Sequence, residues 1–265
     1  MSNQAFLVDA GTLDESAPGS LVDLTGDEGR HAVAVKRVRA GEEIDLVDGS
    51  GTRASCRVVS TGQSVLTAEV LAVGTEEPPA VRTVLVQALA KGDRDLQAVE
   101  SAVEIGVDAV IPWQAERCVV RWSGEKAAKG RAKWAATVRA AVKQSRRAWA
   151  PGVSGAATTA QLASLLEQGP ADDGGAGPRA RLAIVLHEEA DAPLAELVSH
   201  WVAGAPAGAK EVMLFVGPEG GIGDREVERL VSAGAVTASL GRNVLRASTA
   251  GPVGLVLVRH LVDAG

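Results

Sequence analysis

The chain has 265 residues and a net charge of −6, and 46% of its residues are hydrophobic while only 3% are aromatic. This composition excludes wholesale disorder, collagen-like repetition and a disulfide-dense miniprotein, and it allows one or two domains with an aliphatic core. The two cysteines, Cys56 and Cys118, lack metal-ligand spacing, and no apolar run can span a bilayer, so we expect a cytoplasmic protein without metal or membrane partners.

Residues 21–73 read as short strands separated by turns. The pattern predicts strands at LVDL, VAVKRV, IDLV, TRASCRVV and SVLTAEVLAV, a turn at GDEGRH, and a hairpin turn at Asp48–Gly51. Regular turn spacing of this kind is typical of a small β-barrel or sandwich. The following stretch, EEPP at residues 76–79, reads as a linker.

The rest of the chain alternates strand and helix patterns. Buried strands are predicted at VRTVLVQALAK, VDAVIPW, RLAIVL, EVMLFV and AVTASLG, and helices at LQAVESAVEIG, Asp224–Ala233 and residues 247–262. This order predicts a mostly parallel α/β sheet. The low-complexity residues 168–178 read as a surface loop.

Charge is segregated along the chain. Lys and Arg against Asp and Glu give net charges of −7, +6 and −5 for residues 1–79, 80–150 and 151–265. Between Arg117 and Arg147 stand ten basic residues and a single acid, Glu125. Apolar spacing from Glu125 to Trp149 predicts a helix that presents Arg139, Lys143, Arg146 and Arg147 on one face. Two interpretations stay open, a phosphate-binding surface and a solvated helix face.

Loops that follow parallel strands are the first place to look for chemistry, because ligands bind beyond the carboxyl ends of such strands. The loop Gly217–Gly223 (GPEGGIG) lets a ligand approach the backbone, although it lacks the P-loop and dinucleotide patterns and is also compatible with a simple turn into a helix. Arg246 precedes an apolar helix, where it serves either the chemistry or an ion pair with Glu219 or Glu188. The third loop begins at His187, Glu188 and Glu189, directly after RLAIVL, and we expect it to complete the rim of a pocket.

Several segments carry a resemblance to a known family. FVGPEGGI followed by LGRNVLRASTA resembles the C-terminal signature of the SPOUT class of S-adenosylmethionine-dependent RNA methyltransferases. HAVAVKRVRAGEEIDLVDGSG, QALAKGDRDLQAVESAVEIGVDAVIPWQAERCVVRW and KWAATVRAAVKQSRRAWAPGV are similar to the ribosomal RNA small subunit methyltransferase E family, which makes N3-methyluridine in 16S rRNA. The resemblance covers nearly the whole chain.

The resemblance implies a two-domain architecture. Residues 1–76 would form a PUA-like β-barrel that binds RNA, and residues 80–265 a SPOUT-type α/β domain with a C-terminal trefoil knot. The family forms homodimers through the knotted domain, and its members act on 16S rRNA or the small ribosomal subunit.

The resemblance also implies the site residues. The implied ligands of S-adenosyl-L-methionine are Leu186, His187, Phe215, Val216, Gly217, Glu219, Gly220, Gly221, Ser239, Leu240, Gly241, Val244 and Leu245. Arg246 is the predicted electrostatic catalyst, and Glu219, His187 or water the proton acceptor. The expected RNA-binding residues are His31, Lys36, Arg37, Arg39, Arg117, Arg139, Lys143, Arg146 and Arg147.

One departure from the family pattern concerns the end of the signature. Members commonly read LRTETA where this chain reads LRASTA, so Ser248 replaces a carboxylate. This replacement weakens any mechanism that uses an acid at that position as the base. Two other functions stay open, a SPOUT methyltransferase acting on a tRNA nucleotide and a non-catalytic RNA-binding assembly factor.

Overall fold

The computed structural model describes residues 3–169, 180–206 and 208–263, and the chain forms two compact units. The first unit contains residues 3–78 and Arg139–Ala150, and the second contains Pro79–Val138 and the residues from Pro151 onward. The division into 1–76 and 80–265 stays a prediction, and the inclusion of residues 139–150 in the first unit was not expected. Most of the predicted surface loop at 168–178 lies outside the described residues.

A five-stranded sheet in the order β1-β3-β4-β5-β2 forms the first unit. Its strands are β1 (Gln4–Leu7), β2 (Leu21–Leu24), β3 (Glu43–Val47), β4 (Thr52–Thr61) and β5 (Leu66–Thr75). β1 runs parallel to β3, and the other pairs are antiparallel. Alternate side chains of the strands, among them Ile44, Cys56 and Val70, face one aliphatic core. Four of the five strands predicted in this region are confirmed.

The fifth predicted strand, VAVKRV at residues 33–38, is wrong, and GDEGRH is not a turn. Helix α1 (Gly26–Arg30) runs directly into a π-helical turn at His31–Val35. Gly29 and Ala32, three residues apart, are the buried positions, while Val35 is 64% exposed. A Cβ on Gly29 would lie 2.3 Å from the carbonyl oxygen of Leu24. The small residues Gly29 and Ala32 therefore allow this helical segment to pack closely against Leu24. The alternating Val residues in VAVKRV favoured a strand and gave no indication of this helix.

The basic helix is confirmed but ends earlier than predicted, so Arg146 and Arg147 lie beyond it and the predicted helical face carries only Arg139 and Lys143 of the four. Helix α3 (Glu125–Ser145) stops because Arg146 takes a left-handed conformation with φ of 57°. Trp149 is therefore not helical, and its indole Nε1 donates to the carbonyl oxygen of Glu76 at 2.9 Å. Gly51, with φ of 102°, lies beneath the indole, where a Cβ would come within 2.6 Å of the ring.

The mostly parallel sheet predicted for the second unit is confirmed, and every strand pair of this sheet among the described residues is parallel. Its strand order is β12-β10-β11-β6-β7-β8, and the short β9 also pairs with β7. The strands are β6 (Val81–Ala88), β7 (Ala109–Gln114), β8 (Gly152–Val153), β9 (Ala157–Thr158), β10 (Ala180–Leu186), β11 (Lys210–Val216) and β12 (Val236–Ala238). The central strands β6 and β11 are buried along almost their whole length, which is typical of a sheet covered on both faces.

Helices connect these strands and cover the sheet. They are α2 (Arg94–Ile105), α4 (Thr159–Glu167), α5 (Leu194–Gly204), α6 (Asp224–Ser232) and α7 (Ala247–Asp263). Gly251 of α7 lies so close to β6 that a Cβ there would be 3.0 Å from the Leu85 side chain. The trefoil knot stays a prediction. Among the helices of the described residues, none is long and apolar enough to cross a membrane.

Candidate active site

An open pocket of about 660 Å³ lies in the second unit, at the carboxyl ends of β10, β11 and β12. Three loops supply most of its lining: residues 187–193, of which 187–189 line it; residues 217–223, which we call the glycine loop and of which 217–222 line it; and residues 239–246, which we call the Arg246 loop and of which 240, 241 and 243–246 line it. Arg94 and Arg117 add to the rim. The volume falls within the roughly 300–1,000 Å³ of small-molecule sites.

Parallel pairing brings two of these loops together although they are distant in sequence. The pairing of β10 with β12 continues beyond the strands, where His187 N–H donates to the Ala238 carbonyl at 3.0 Å. Ser239 N–H then donates to Ala192 at 2.9 Å, and Leu194 N–H donates to Ser239 at 2.9 Å. These backbone bonds fix the start of the Arg246 loop against residues 187–193.

The glycine loop is a tight turn that leads into α6. Gly221 N–H donates to the Pro218 carbonyl at 2.9 Å, and Gly221 has φ of 74°, which favours glycine. A Cβ on Gly217 would lie 2.5 Å from Cγ1 of Ile222. Both interpretations of the sequence therefore apply, because the loop is a turn into a helix and its backbone also borders the pocket.

Two arginines contact the glycine loop from other elements. Arg94 Nη1 lies 3.0 Å from Glu219 Oε1, and Arg117 Nη1 donates to the Gly220 carbonyl at 3.2 Å. Sequence reasoning assigned Arg117 to RNA and missed Arg94. The position of Arg94 could have indicated its place at the pocket, because it follows the carboxyl end of β6, which is the neighbour of β11 in the sheet.

Arg246 lies on the exposed rim of the pocket at the start of α7. Its carbonyl accepts from the N–H groups of Thr249 at 2.8 Å and Ala250 at 2.9 Å, which begins the helix. Glu219, one of the two ion-pair partners considered for Arg246, is paired with Arg94 instead. Within residues 3–169, 180–206 and 208–263, no carboxylate stands at salt-bridge distance from Arg246.

Eleven of the thirteen predicted cofactor residues line the pocket: Leu186, His187, Val216, Gly217, Glu219, Gly220, Gly221, Leu240, Gly241, Val244 and Leu245. Phe215 does not, because it is fully buried and packs edge-on against Trp113 with ring centroids 6.1 Å apart. Ser239 does not either, since its hydroxyl donates to the Ala192 carbonyl at 3.4 Å. Which of the thirteen bind a cofactor stays a prediction.

The polar lining residues outside the predicted cofactor set are Arg94, Glu188, Glu189, Asp224 and Asn243. The sequence placed Glu188, Glu189 and Asn243 in the loops after the strands and Asp224 at the start of a helix, but it assigned none of them to the cofactor. Arg94 alone was missed. Ser248, the departure from the family pattern, does not line the pocket, whereas Ala247 and Ala250 do.

The predicted RNA-binding residues, apart from Arg117, belong to the first unit. Lys36, Arg37, Arg39, Arg139 and Arg146 are exposed, while His31 and Arg147 are half-buried. The ring of His31 stands edge-on to Phe6 with centroids 6.4 Å apart. Lys143 is 21% exposed and pairs with Glu28, which is 14% exposed. All nine assignments stay predictions.

Among the described residues, the pocket lining contains no cysteine and no cluster of metal ligands. Burial raises the pKa of the Cys56 and Cys118 thiols to about 11, so neither supplies a thiolate near neutral pH. No set of three His, Cys, Asp or Glu side chains in the described part of the chain is arranged to hold a metal ion.

Comparison with known proteins agrees with this architecture. Residues 76–259 match the family model of the RNA methyltransferase domain, and residues 24–71 match that of the RNA methyltransferase PUA domain. The chain is 42% identical over 258 residues to the ribosomal RNA small subunit methyltransferase E of Mycobacterium tuberculosis, covering 97% of this chain and 92% of the relative. It is 30% identical over 238 residues to that of Bacillus subtilis, covering 89% and 88%.

A solved structure shares the fold. The crystal structure of the ribosomal RNA small subunit methyltransferase E from Neisseria gonorrhoeae, bound to S-adenosyl methionine, aligns with a TM-score of 0.80 and 26% identity over 98% of both chains. The resemblance inferred from the motifs is thus confirmed. The chain belongs to the ribosomal RNA small subunit methyltransferase E family.

Proposed function

We propose that this protein transfers a methyl group from S-adenosylmethionine to N3 of a uridine in 16S rRNA. The observation that carries the proposal is the convergence of three loops at the ends of adjacent parallel strands, with the guanidinium of Arg246 on the rim of the pocket they form. Relatives named as small subunit rRNA methyltransferases support the reaction class, and the ligand of the Neisseria protein supports the cofactor.

The pocket fits this cofactor in size and chemistry. S-adenosylmethionine, when bound, supplies a methyl group on a positive sulfonium together with an ammonium, a carboxylate and ribose hydroxyls. Glu188, Glu189 and Asp224 offer carboxylates to the positive groups, and the glycine loop offers backbone groups without obstruction by Cβ atoms.

Arg246 has the electrostatic role in this proposal. Uridine N3 must lose its imide proton before it becomes nucleophilic, and the resulting negative charge spreads over O2 and O4. A fixed guanidinium close to those oxygens stabilises the anion. Glu219, His187 and water remain the candidate proton acceptors. Because N3 lies on the pairing edge, the target base must be unpaired or drawn out of its stack.

Two separate sets of basic residues bind RNA in this proposal, the exposed basic residues of the first unit and Arg117 beside the pocket of the second unit. Those exposed residues are Lys36, Arg37, Arg39, Arg139 and Arg146. Lys and Arg side chains bind phosphates regardless of sequence, so they supply affinity, while the pocket selects the base. We also propose that the protein forms a homodimer through α7 and acts in the cytoplasm.

The test is nucleoside mass spectrometry of small-subunit RNA from a strain that lacks this protein. Loss of N3-methyluridine, and its return when isolated subunits are treated with pure protein and S-adenosylmethionine, is the expected result. Unchanged N3-methyluridine with cofactor binding retained would point to another RNA such as tRNA. Absence of cofactor binding would favour a non-catalytic assembly factor.

A further inference from the structure

We infer that Glu226 is a positioning residue, which fixes the glycine loop relative to the segment that carries Arg117. The side chain of Glu226 does not line the pocket itself. The inference rests on the proposed function only in treating that pocket as the cofactor site. The contacts that support it are all within the second unit.

One oxygen of Glu226 makes an ordinary helix cap. Glu226 is the third residue of α6, and its Oε2 accepts the N–H of Gly223, the last residue of the glycine loop, at 3.4 Å. A carboxylate in the first turn also stabilises the helix dipole. Capping carboxylates are ordinarily solvated, yet Glu226 is only 2% exposed. Capping alone does not require such burial, which removes a charge from water at considerable cost.

The other oxygen reaches two different elements. Oε1 accepts the N–H of Glu116 at 3.1 Å and is also hydrogen-bonded by the hydroxyl of Thr159 at the start of α4. Thr159 in turn accepts from Trp113 Nε1 at 3.0 Å. A single carboxylate therefore connects the end of the glycine loop, the residues after β7 and the first residue of α4.

This connection reaches the pocket through Arg117. Glu116, which donates to Glu226, directly precedes Arg117, and Arg117 donates to the Gly220 carbonyl at 3.2 Å. The glycine loop is thus held at two points by the same neighbouring segment. Gly223 is fixed through the buried carboxylate, and Gly220 through the exposed guanidinium. Loss of the carboxylate releases both segments together.

The chemistry of the three contacts specifies a carboxylate. All three neighbours present an N–H or O–H donor, and an ionised carboxylate is an acceptor on both oxygens. Glutamine has nearly the same shape, but its NH₂ group must face a donor on one side or the other. Glu226→Gln therefore leaves at least one buried donor unsatisfied while changing the volume little.

The experiment compares Glu226→Gln with Glu211→Gln. Glu211 is equally buried at 2% exposure, but it pairs with Arg82 and Arg181 at the start of β11, away from the strand ends that form the pocket. Amide hydrogen exchange of the protein without cofactor is measured for residues 115–118 and 217–223. Calorimetry then gives the dissociation constant for S-adenosylmethionine.

Glu226→Gln is expected to speed exchange in both segments and to weaken cofactor binding by about tenfold, the factor for one lost hydrogen bond to a charged group. Glu211→Gln should leave both readouts near wild type even where it lowers the melting temperature. If Glu226→Gln does not fold, Thr159→Val removes one of the donors and should shift exchange in the same segments, whereas Thr159→Ser should restore wild-type behaviour.

Equal effects of the Glu226 and Glu211 variants, or unchanged exchange in residues 217–223, would overturn the inference. A wild-type protein that fails to bind S-adenosylmethionine would instead reject the proposed function. The exchange measurement needs no cofactor, so it decides the role of Glu226 in either case.

Discussion

Arg94 and Glu219 form an ion pair of 3.0 Å that joins the start of α2 to the glycine loop. Both side chains are partly exposed, at 42% and 33%, so the pair contributes little to global stability. Its consequence is local. It gives Glu219 a cationic partner other than Arg246. In the proposed mechanism the guanidinium of Arg246 instead contacts the uridine anion.

Replacement of Arg246 by Ala should lower turnover by about 100- to 1,000-fold, since the loss of one preorganised donor to a developing anion has that effect. The affinity for S-adenosylmethionine should change less than about threefold, because a transition-state contact contributes little to cofactor binding. Single-turnover methylation of small subunits and calorimetry measure the two quantities.

Arg242→Ala is the matched control for that variant. Arg242 is exposed on the same loop but does not line the pocket, so its removal should leave turnover near wild type. If Arg246→Ala retained turnover, or if both variants lost it equally, the electrostatic assignment would be wrong.

The sequence predicted the parallel sheet and the two principal loops because each is encoded locally. Val- and Leu-rich runs mark buried strands, and GPEGG marks a backbone that a ligand can approach. Arg94 and Glu226 were missed because their importance comes from tertiary contacts with residues more than 100 positions away. The assignment of Phe215 to the pocket was wrong because a position next to the glycine loop in sequence does not tell which face of the strand its side chain occupies.

Ser248→Glu, which restores the acid that the family commonly has, should change turnover by less than about threefold. Ser248 is in the first turn of α7 and does not line the pocket, so an acid there is not placed to act as the base. Steady-state methylation of small subunits by the two proteins measures the effect. A rise of tenfold or more would show that an acid at this position takes part in the reaction.

The basic residues of α3 should divide into two classes. Arg139 is exposed, so Arg139→Ala should reduce the slope of log affinity against log salt by roughly 0.7 for single-stranded RNA without lowering the melting temperature. Lys143 pairs with Glu28, whose second oxygen is buried without a partner in the described part of the chain. Lys143→Ala should therefore lower the free energy of unfolding by roughly 1–3 kcal/mol.

Filter binding at several salt concentrations and urea unfolding separate these two classes. The opposite pattern, with a stability loss for Arg139→Ala and only a salt effect for Lys143→Ala, would reverse the assignment. An unchanged salt slope in both variants would favour a solvated helix face over a phosphate-binding surface.

Val256→Glu should disrupt the proposed homodimer. Val256 and Val253 are 51% and 37% exposed one turn apart on α7, so they present an apolar strip that water does not favour. A buried charge in that strip should shift the protein toward monomer in light scattering coupled to size exclusion. Val231→Glu, at a position 45% exposed on α6, is the control and should leave the mass unchanged. A wild-type protein that is already monomeric would exclude the dimer.

The free energy of unfolding should decrease at alkaline pH because both cysteine thiols are buried. Burial raises the pKa of Cys56 and Cys118 from 9.0 to about 11, so the folded protein holds these protons at a pH where the unfolded chain has released them. The free energy of unfolding is unaffected by the thiols below pH 9 and decreases as the pH rises from about 9 to about 11. Between pH 8 and pH 10 the decrease should be about 1 kcal/mol for each thiol.

Urea unfolding at the two pH values measures this decrease, and a variant with both cysteines replaced by Ala should lose the thiol contribution. The absence of Tyr from the chain makes a direct titration possible, because thiolate absorbance near 240 nm is then free of tyrosinate. If native thiolate appeared with a midpoint near 9, the two side chains would be accessible to water, and the stability of wild type and variant would depend on pH in the same way.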